Sequence, residues 1–352
     1  MRVAIGLLLS VAALASLSAA TAPPADPLQL PAQTSRLASS SPLFAITQAG
    51  PRLVAVGQRG HILLSDDKGV TWQQAAVPVS VDLTAVHFPS PRRGWAVGHD
   101  GVILHSDDGG AHWALQLDGR QAAQRIVDAY TPRAGSGNTE LDAVLAEAKR
   151  MLAQGPDLPW LDVWFDDDNS GYAVGAFNLV FSTRDGGATW QPASDRVDNP
   201  RGYHLYALRG GSGGQLYAAG ELGLLLRLDR ATQRFVAVPT PYKGTFFGVL
   251  ALPDLLLAYG LRGNAWRSLD GGRTWHKTET GIDTGLTGGT LLDDGRIALV
   301  SQGGQLLLSR DNAGHFAAVP GLQTSPAFGV VAAGSSSVAL VGARGVRVEK
   351  IK

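Results

Sequence analysis

Carboxylates recur along this chain at a fixed distance from an aromatic residue, and that regularity limits the chemistry open to them. Asp67 stands five residues before Trp72, and Asp108, Asp185, Asp270 and Asp311 stand likewise before Trp113, Trp190, Trp275 and Phe316. A catalytic pair or a metal centre is assembled once. A carboxylate that returns in unit after unit marks a turn, where Ser and Asp side chains bond turn backbone and Gly takes a left-handed conformation. The run Asp166-Asp167-Asp168-Asn169-Ser170-Gly171 has the acidic spacing of a calcium loop, but the twelfth position is Phe177 where such a loop needs Glu. Phe165 to Gly171 also aligns without a gap on Phe88 to Gly94, so it reads as one more turn of the repeat. The eight histidines are scattered, and no pair has helical metal spacing. Glutamate is scarce: Glu140, Glu147, Glu221, Glu279 and Glu349. Glu221 with Tyr203 or Tyr206 is the one combination resembling a nucleophile pair, and a second carboxylate at a fixed separation cannot be assigned to it. No catalytic residue, metal or cofactor is therefore expected.

The elements that position these residues follow from the repeat. Clear copies of the turn run from Ser65 to Trp72, Ser106 to Trp113, Ser182 to Trp190 and Ser268 to Trp275; worn copies end at Phe235 and Phe316. The period is about forty residues, the length of a four-stranded propeller blade. Upstream of each turn a second mark recurs, a glycine pair around two residues: Gly57/Gly60, Gly98/Gly101, Gly220/Gly223, Gly260/Gly263 and Gly342/Gly345, altered to Gly175/Asn178 and Ser301/Gly304. Short apolar runs flank each pair, so it reads as a tight hairpin needing positive φ. Seven such marks predict an all-β, seven-bladed propeller of four-stranded antiparallel blades, each running strand A, strand B, hairpin, strand C, Asp-box turn, strand D. In blade two, A is Leu83 to Phe88, B is Gly94 to Val97 and C is Val102 to His105.

Three segments break the pattern. Residues 1–22 carry Arg2, an apolar stretch from Val3 to Leu17 and small residues at Ser18-Ala19-Ala20 and Ala20-Thr21-Ala22. They predict a cleaved export signal, a periplasmic or otherwise exported location, and no integral membrane span after cleavage. After the last glycine pair only one strand remains, so residues 23–40, around Leu28 to Leu37, are expected to close the ring as the outer strand of blade seven, with 41–352 forming the propeller. Between Trp113 and Trp190 an insertion of about 118–159 separates blades two and three. Within it, Asn138-Thr139 caps a predicted helix with Leu141, Val144, Leu145, Ala148 and Leu152 on one face, and a shorter helical turn runs from Arg120 to Tyr130. Such an insertion either covers a blade edge or docks a partner.

Composition narrows the class further. The 352 residues are 45% hydrophobic and balance 30 basic against 30 acidic side chains, so no bulk field draws nucleic acid. Cysteine is absent, which excludes disulfides, thiolate metal sites and a Cys nucleophile.

The motif G-x-x-G-x-I-L-x-S-x-D-G-G-x-T-W, as in Gly98 to Trp113 and Gly260 to Trp275, resembles the photosystem II assembly and stability factor family of Asp-box propellers. The resemblance implies a non-enzymatic assembly factor with a protein partner in a membrane or envelope complex. Bacterial relatives, often encoded beside RND-type exporters, extend the family beyond photosynthesis. Nothing in the residues marks a photosynthetic source, so the photosystem itself is not carried over. The family also carries a surface patch of arginines, and Arg59, Arg262 and Arg344 sit in the B–C hairpins here as the expected partner-binding residues. Sialidases share the Asp-box propeller, but their Arg-Ile-Pro segment is absent; a glycoside hydrolase and a sugar- or small-ligand-binding lectin remain the alternatives.

Overall fold

In the computed structural model, residues 25–135, 137, 139–155, 157–322 and 325–351 are described; the leader expected at 1–22 and Asn138, expected as a helix cap, lie outside them. Each blade begins with an inner strand: Leu43–Ala49, Leu83–His87, Trp160–Phe165, Leu205–Gly210, Phe246–Leu252, Leu286–Leu291 and Ala327–Ala332. Each inner strand packs beside the next, and the last packs on the first, so the ring closes. The chain is the expected seven-bladed β-propeller: six antiparallel sheets have four strands and the last has three.

The second strands are buried almost throughout, which is why they read as short apolar runs without alternation. Ala55, Ala96, Ala173, Ala218 and Ala258 occupy the same place in five of them and are fully buried, letting neighbouring sheets approach closely. The two glycines of each hairpin do different work. Gly57 has an extended backbone, and a Cβ there would stand 2.3 Å from the Pro42 carbonyl. Gly60 has φ +74°, and it is Arg59 before it, at φ 55°, that shares the left-handed bend.

The Asp boxes fold as their chemistry dictates. The Ser65 hydroxyl donates to Asp67 Oδ1 (2.8 Å) and accepts from Gly69 N (2.8 Å), while Asp67 accepts from Thr71 N (2.9 Å) and Thr71 Oγ1 (2.6 Å). Asp108, Asp185, Asp270 and Asp311 repeat this arrangement, with His112 and His315 in the place of the threonine. The worn copy before Phe235 is a different turn, closed by Asp229 on Ala231 N and Thr232.

The N-terminal segment does not add the outer strand expected of it. Among the described residues the last blade has three strands, and residues 25–37 run along blade one instead. Ala32 N donates to Val77 O (3.0 Å), Ser80 N to Pro27 O (3.0 Å), and Ser35 N to Gln74 Oε1 (3.0 Å). Leu28 packs into the cluster of Val77, Val79 and Val81. Pro27 and Pro31 supply no N–H, and the Ala32 and Ser35 donors that follow are spent on blade one, as isolated bonds along a loop.

The insertion forms two helices, α1 (Gly119–Tyr130) and α2 (Thr139–Gln154), between the outer strand Ala114–Leu117 of blade two and the inner strand of blade three. The predicted short turn is thus a full helix. Asp118 and Gln121 cap it reciprocally, the carboxylate accepting from Gln121 N (2.9 Å) and the Gln121 side chain from Asp118 N (3.2 Å). Of the predicted face of α2, Leu141, Leu145 and Ala148 are buried and Val144 half-buried, but Leu152 is 41% exposed. Met151, unbranched and adaptable, is buried in the core in its place.

Candidate functional site

Every B–C hairpin lies at the same end of its blade, so all seven crown one face of the ring, opposite the Asp boxes. The expected arginines are all there: Arg59, Arg262 and Arg344 are exposed, and no side-chain hydrogen bond or ion pair engages their guanidinium groups among the described residues. Arg52, Arg120, Arg133, Arg209 and Arg230, by contrast, are all ion-paired. Arg59 and Arg262 share the left-handed turn, while Arg344 sits in a tighter two-residue hairpin in which Gly342 pairs directly with Gly345. The equivalent tips of blades three and four carry Phe177 and Leu222, 57% and 53% exposed. The hairpin face thus carries cationic tips at blades one, five and seven, apolar ones at blades three and four, and Asp100 at blade two.

A feature that the repeat did not reveal lies inside this crown. Each inner strand carries one bulge next to its first residue, where the register against the second strand slips. The extra residues are Phe44, Thr84, Leu161, Tyr206, Phe247, Thr287 and Phe328, and all seven line the axial channel. A bulge re-aims a side chain that regular pleating would point at a neighbouring sheet. The four aromatics make a collar at the hairpin-face mouth: Phe44 and Phe328 rings lie 6.0 Å apart, Tyr206 and Phe247 5.5 Å edge to face. His204, 6.1 Å from Tyr206, meets Phe177 at 4.5 Å and links the collar to the hairpin tip of blade three. Because the seven residues differ in type, no motif announces them; only the register of the paired strands does.

Other sequence candidates resolve into scaffold or into the channel wall. Asp167 Oδ1 accepts from Asn169 N and Ser170 N, each at 2.7 Å, and Asp166 pairs with Arg230 at 2.6 Å, so the calcium-like run is a blade turn. Glu221 accepts from His204 N at 2.8 Å, and Tyr203 accepts from Arg201 at 3.0 Å. Burial, with the Glu221 charge second, pushes the Tyr206 phenol up. The helical insertion flanks the hairpin face at blades two and three: α1 abuts the hairpin at Gly101, and Tyr130 donates to Asp195 Oδ1 at 2.9 Å on the loop leaving blade three. No helix among the described residues is long and apolar enough to cross a membrane.

The sequence matches the family described as photosynthesis system II assembly factor YCF48 over residues 45–128 and 151–322. No curated protein matches it in sequence. Among solved structures it resembles YCF48 bound to a D1 peptide, with TM-score 0.63 and 15% identity over 90% of this chain and 96% of that one. YCF48 from Cyanidioschyzon merolae gives TM-score 0.63 and 16% identity over 89% and 96%. The WD40 propeller domain of Doa1 fits as well in shape, at TM-score 0.63, with 10% identity over 91% and 95%.

Proposed function

This chain belongs to the family of the photosystem II assembly factor YCF48, and on that premise we propose that it is an exported, non-enzymatic propeller whose hairpin face binds a protein partner. The observation that carries the reading is the set of three exposed hairpin guanidinium groups without internal partners, beside an apolar sector of the same face. Guanidinium forks suit bidentate capture of carboxylates, and an aromatic or apolar neighbour supplies the desolvated contact that anchors an interface. That a YCF48 structure holds a D1 peptide supports a peptide or protein ligand for this relative.

The partner we propose is a membrane or envelope complex, with an RND-type exporter as one setting and the periplasm as the compartment. The insertion α1–α2 flanks the same face and forms the side wall of the docking surface.

The test is capture of the partner from the protein's own membranes by tagged wild type and by the Arg59→Glu, Arg262→Glu, Arg344→Glu triple variant. The variant should fold with an unchanged Tm and lose the partner. Equal co-purification by both would contradict the reading. Turnover of a fluorogenic sialoside that disappears in Glu221→Gln would replace it with the glycosidase alternative.

A further inference from the structure

The channel on the ring axis holds a cationic group whose hydrogen-bonding capacity the fold does not use up. Arg209, on the fourth inner strand, reaches toward the third, where Nη1 donates to Asp162 Oδ2 (2.5 Å) and to Leu208 O (2.6 Å). Asp162 is buried and also accepts from Leu208 N (2.8 Å) and from Val163 N (2.9 Å), so both of its oxygens are engaged. Burial pushes this carboxyl up, against the pull of Arg209 and the two backbone donors. The Arg209 guanidinium spends only one nitrogen on these bonds. Its Nε and Nη2 have no hydrogen bond among the described residues, and 38% of its side chain stays accessible although it lies inside the ring.

Tyr259 lines the same channel, close enough for the Arg209 charge to act on its phenol. This tyrosine belongs to the second strand of blade five, one layer out from the axis, and reaches the channel where two inner-strand glycines leave room. A Cβ on Gly248 would sit 2.4 Å from its hydroxyl, and one on Gly289 3.1 Å away. Burial pushes its phenol up to about 12, with the Arg209 charge acting against that shift, so the hydroxyl stays a donor across physiological pH. It makes no hydrogen bond among the described residues. Two free guanidinium nitrogens and a free phenol, with the nearby carboxylate already engaged, offer donors and little to accept. The channel they line encloses about 350 Å³, at the lower end of ligand-pocket size. Its mouth is the aromatic collar of Phe44, Tyr206, Phe247 and Phe328.

We propose that the axial channel is a carboxylate-binding site, in which Arg209 and Tyr259 hold the carboxylate oxygens and the collar receives an aromatic or apolar group attached to it. The carboxylate belongs either to a free small acid or to the C-terminus of an extended chain entering from the hairpin face. The site is separate from the exposed arginines, so it stands or falls independently of them.

Isothermal titration of the protein with 3-phenylpropionate and with its amide, and with acetyl-Gly-Gly-Phe as free acid and as carboxamide, tests the site. The acid of at least one pair should bind, and its amide should bind at least about tenfold more weakly, since a charge-assisted bond is lost. Tyr259→Phe, which removes one oxygen, should weaken the acid about five- to tenfold with an unchanged Tm. The paired variant Asp162→Asn, Arg209→Gln, which leaves no buried charge unmatched, should abolish binding while retaining the wild-type circular dichroism. Binding of phenylpropionate alone identifies a free acid as the ligand class; binding of the peptide acid identifies a chain end. The Arg59, Arg262, Arg344 triple Glu variant should bind these acids as wild type does, which keeps this result distinct from failure of the hairpin face. Equal binding of acid and amide, no binding of either acid, or wild-type affinity in both channel variants would overturn the proposal.

Discussion

Phe44 and Phe328 meet ring to ring, 6.0 Å apart, across the seam where the first blade joins the last. Both are bulge residues, so the device that builds the collar also packs the closure of the ring. Among the described residues the seam is packed by side chains of the inner strands together with Leu53, Leu63 and Trp72 of blade one and Ala38, with no N-terminal strand added to blade seven.

Deleting residues 25–37 should therefore loosen blade one while the seam stays closed. Leu28 leaves the Val77, Val79 and Val81 cluster, and Ala32 N leaves Val77 O. Hydrogen exchange should speed up at 73–81. Faster exchange confined to 345–350 would show that the segment closes the last blade after all.

The Asp boxes predict acid sensitivity of a defined sign. Bonds from the Thr71 hydroxyl, then from Thr71 N and the Ser65 hydroxyl, lower Asp67 from 3.8 to about 2. At Asp108 burial pushes upward, but bonds from His112 N, the His112 ring and Ser106 prevail and hold it at about 2. A folded value below the unfolded one means that the stabilisation is complete above about pH 4 and drains away as pH falls toward about 2. Tm measured from pH 6 to pH 2 should drop in that window in wild type. In Asp67→Asn the drop should be shallower; an identical profile would remove Asp67 from the account.

Trp95 is fully buried, stacks on Phe165 at 3.5 Å and donates to Gln116 Oε1 at 3.2 Å, joining blade two to blade three beneath the insertion. Trp95→Ala should cost about 3–5 kcal/mol in urea unfolding. A loss below about 1 kcal/mol would mean that the two blades are not coupled through this stack.

Arg59 and Arg262 occupy a left-handed conformation that glycine adopts without strain. Arg59→Gly with Arg262→Gly should leave Tm unchanged or slightly raised, because the exposed side chains bond nothing internally. Partner capture should fall. A lowered Tm would assign these arginines to the turn and not to an interface.

The blades, the turns and the insertion were legible in the sequence because each rests on a local rule: a left-handed residue, a carboxylate over turn backbone, a capped amphipathic helix. Residues that recur by necessity leave a pattern. The N-terminal segment differs from expectation because a count of strands left the last blade one short, and a count does not say which blade the segment's backbone will bond. Leu152 fits the helical period of α2, yet Met151 is the residue the core takes. The channel left no trace, since Asp162, Arg209 and Tyr259 come from three different blades and the bulge residues vary from Phe to Thr. Their juxtaposition depends on strand register and ring closure, which no single segment encodes.

Hydrogen exchange of the protein alone and in complex with its captured partner tests the hairpin-face account most directly. Protection should appear at 57–61, 260–264 and 342–346, with residues of the Asp-box turns at 65–72 and 268–275 unchanged. Protection at the Asp-box turns with none at those hairpins would place the partner on the opposite face and contradict the account.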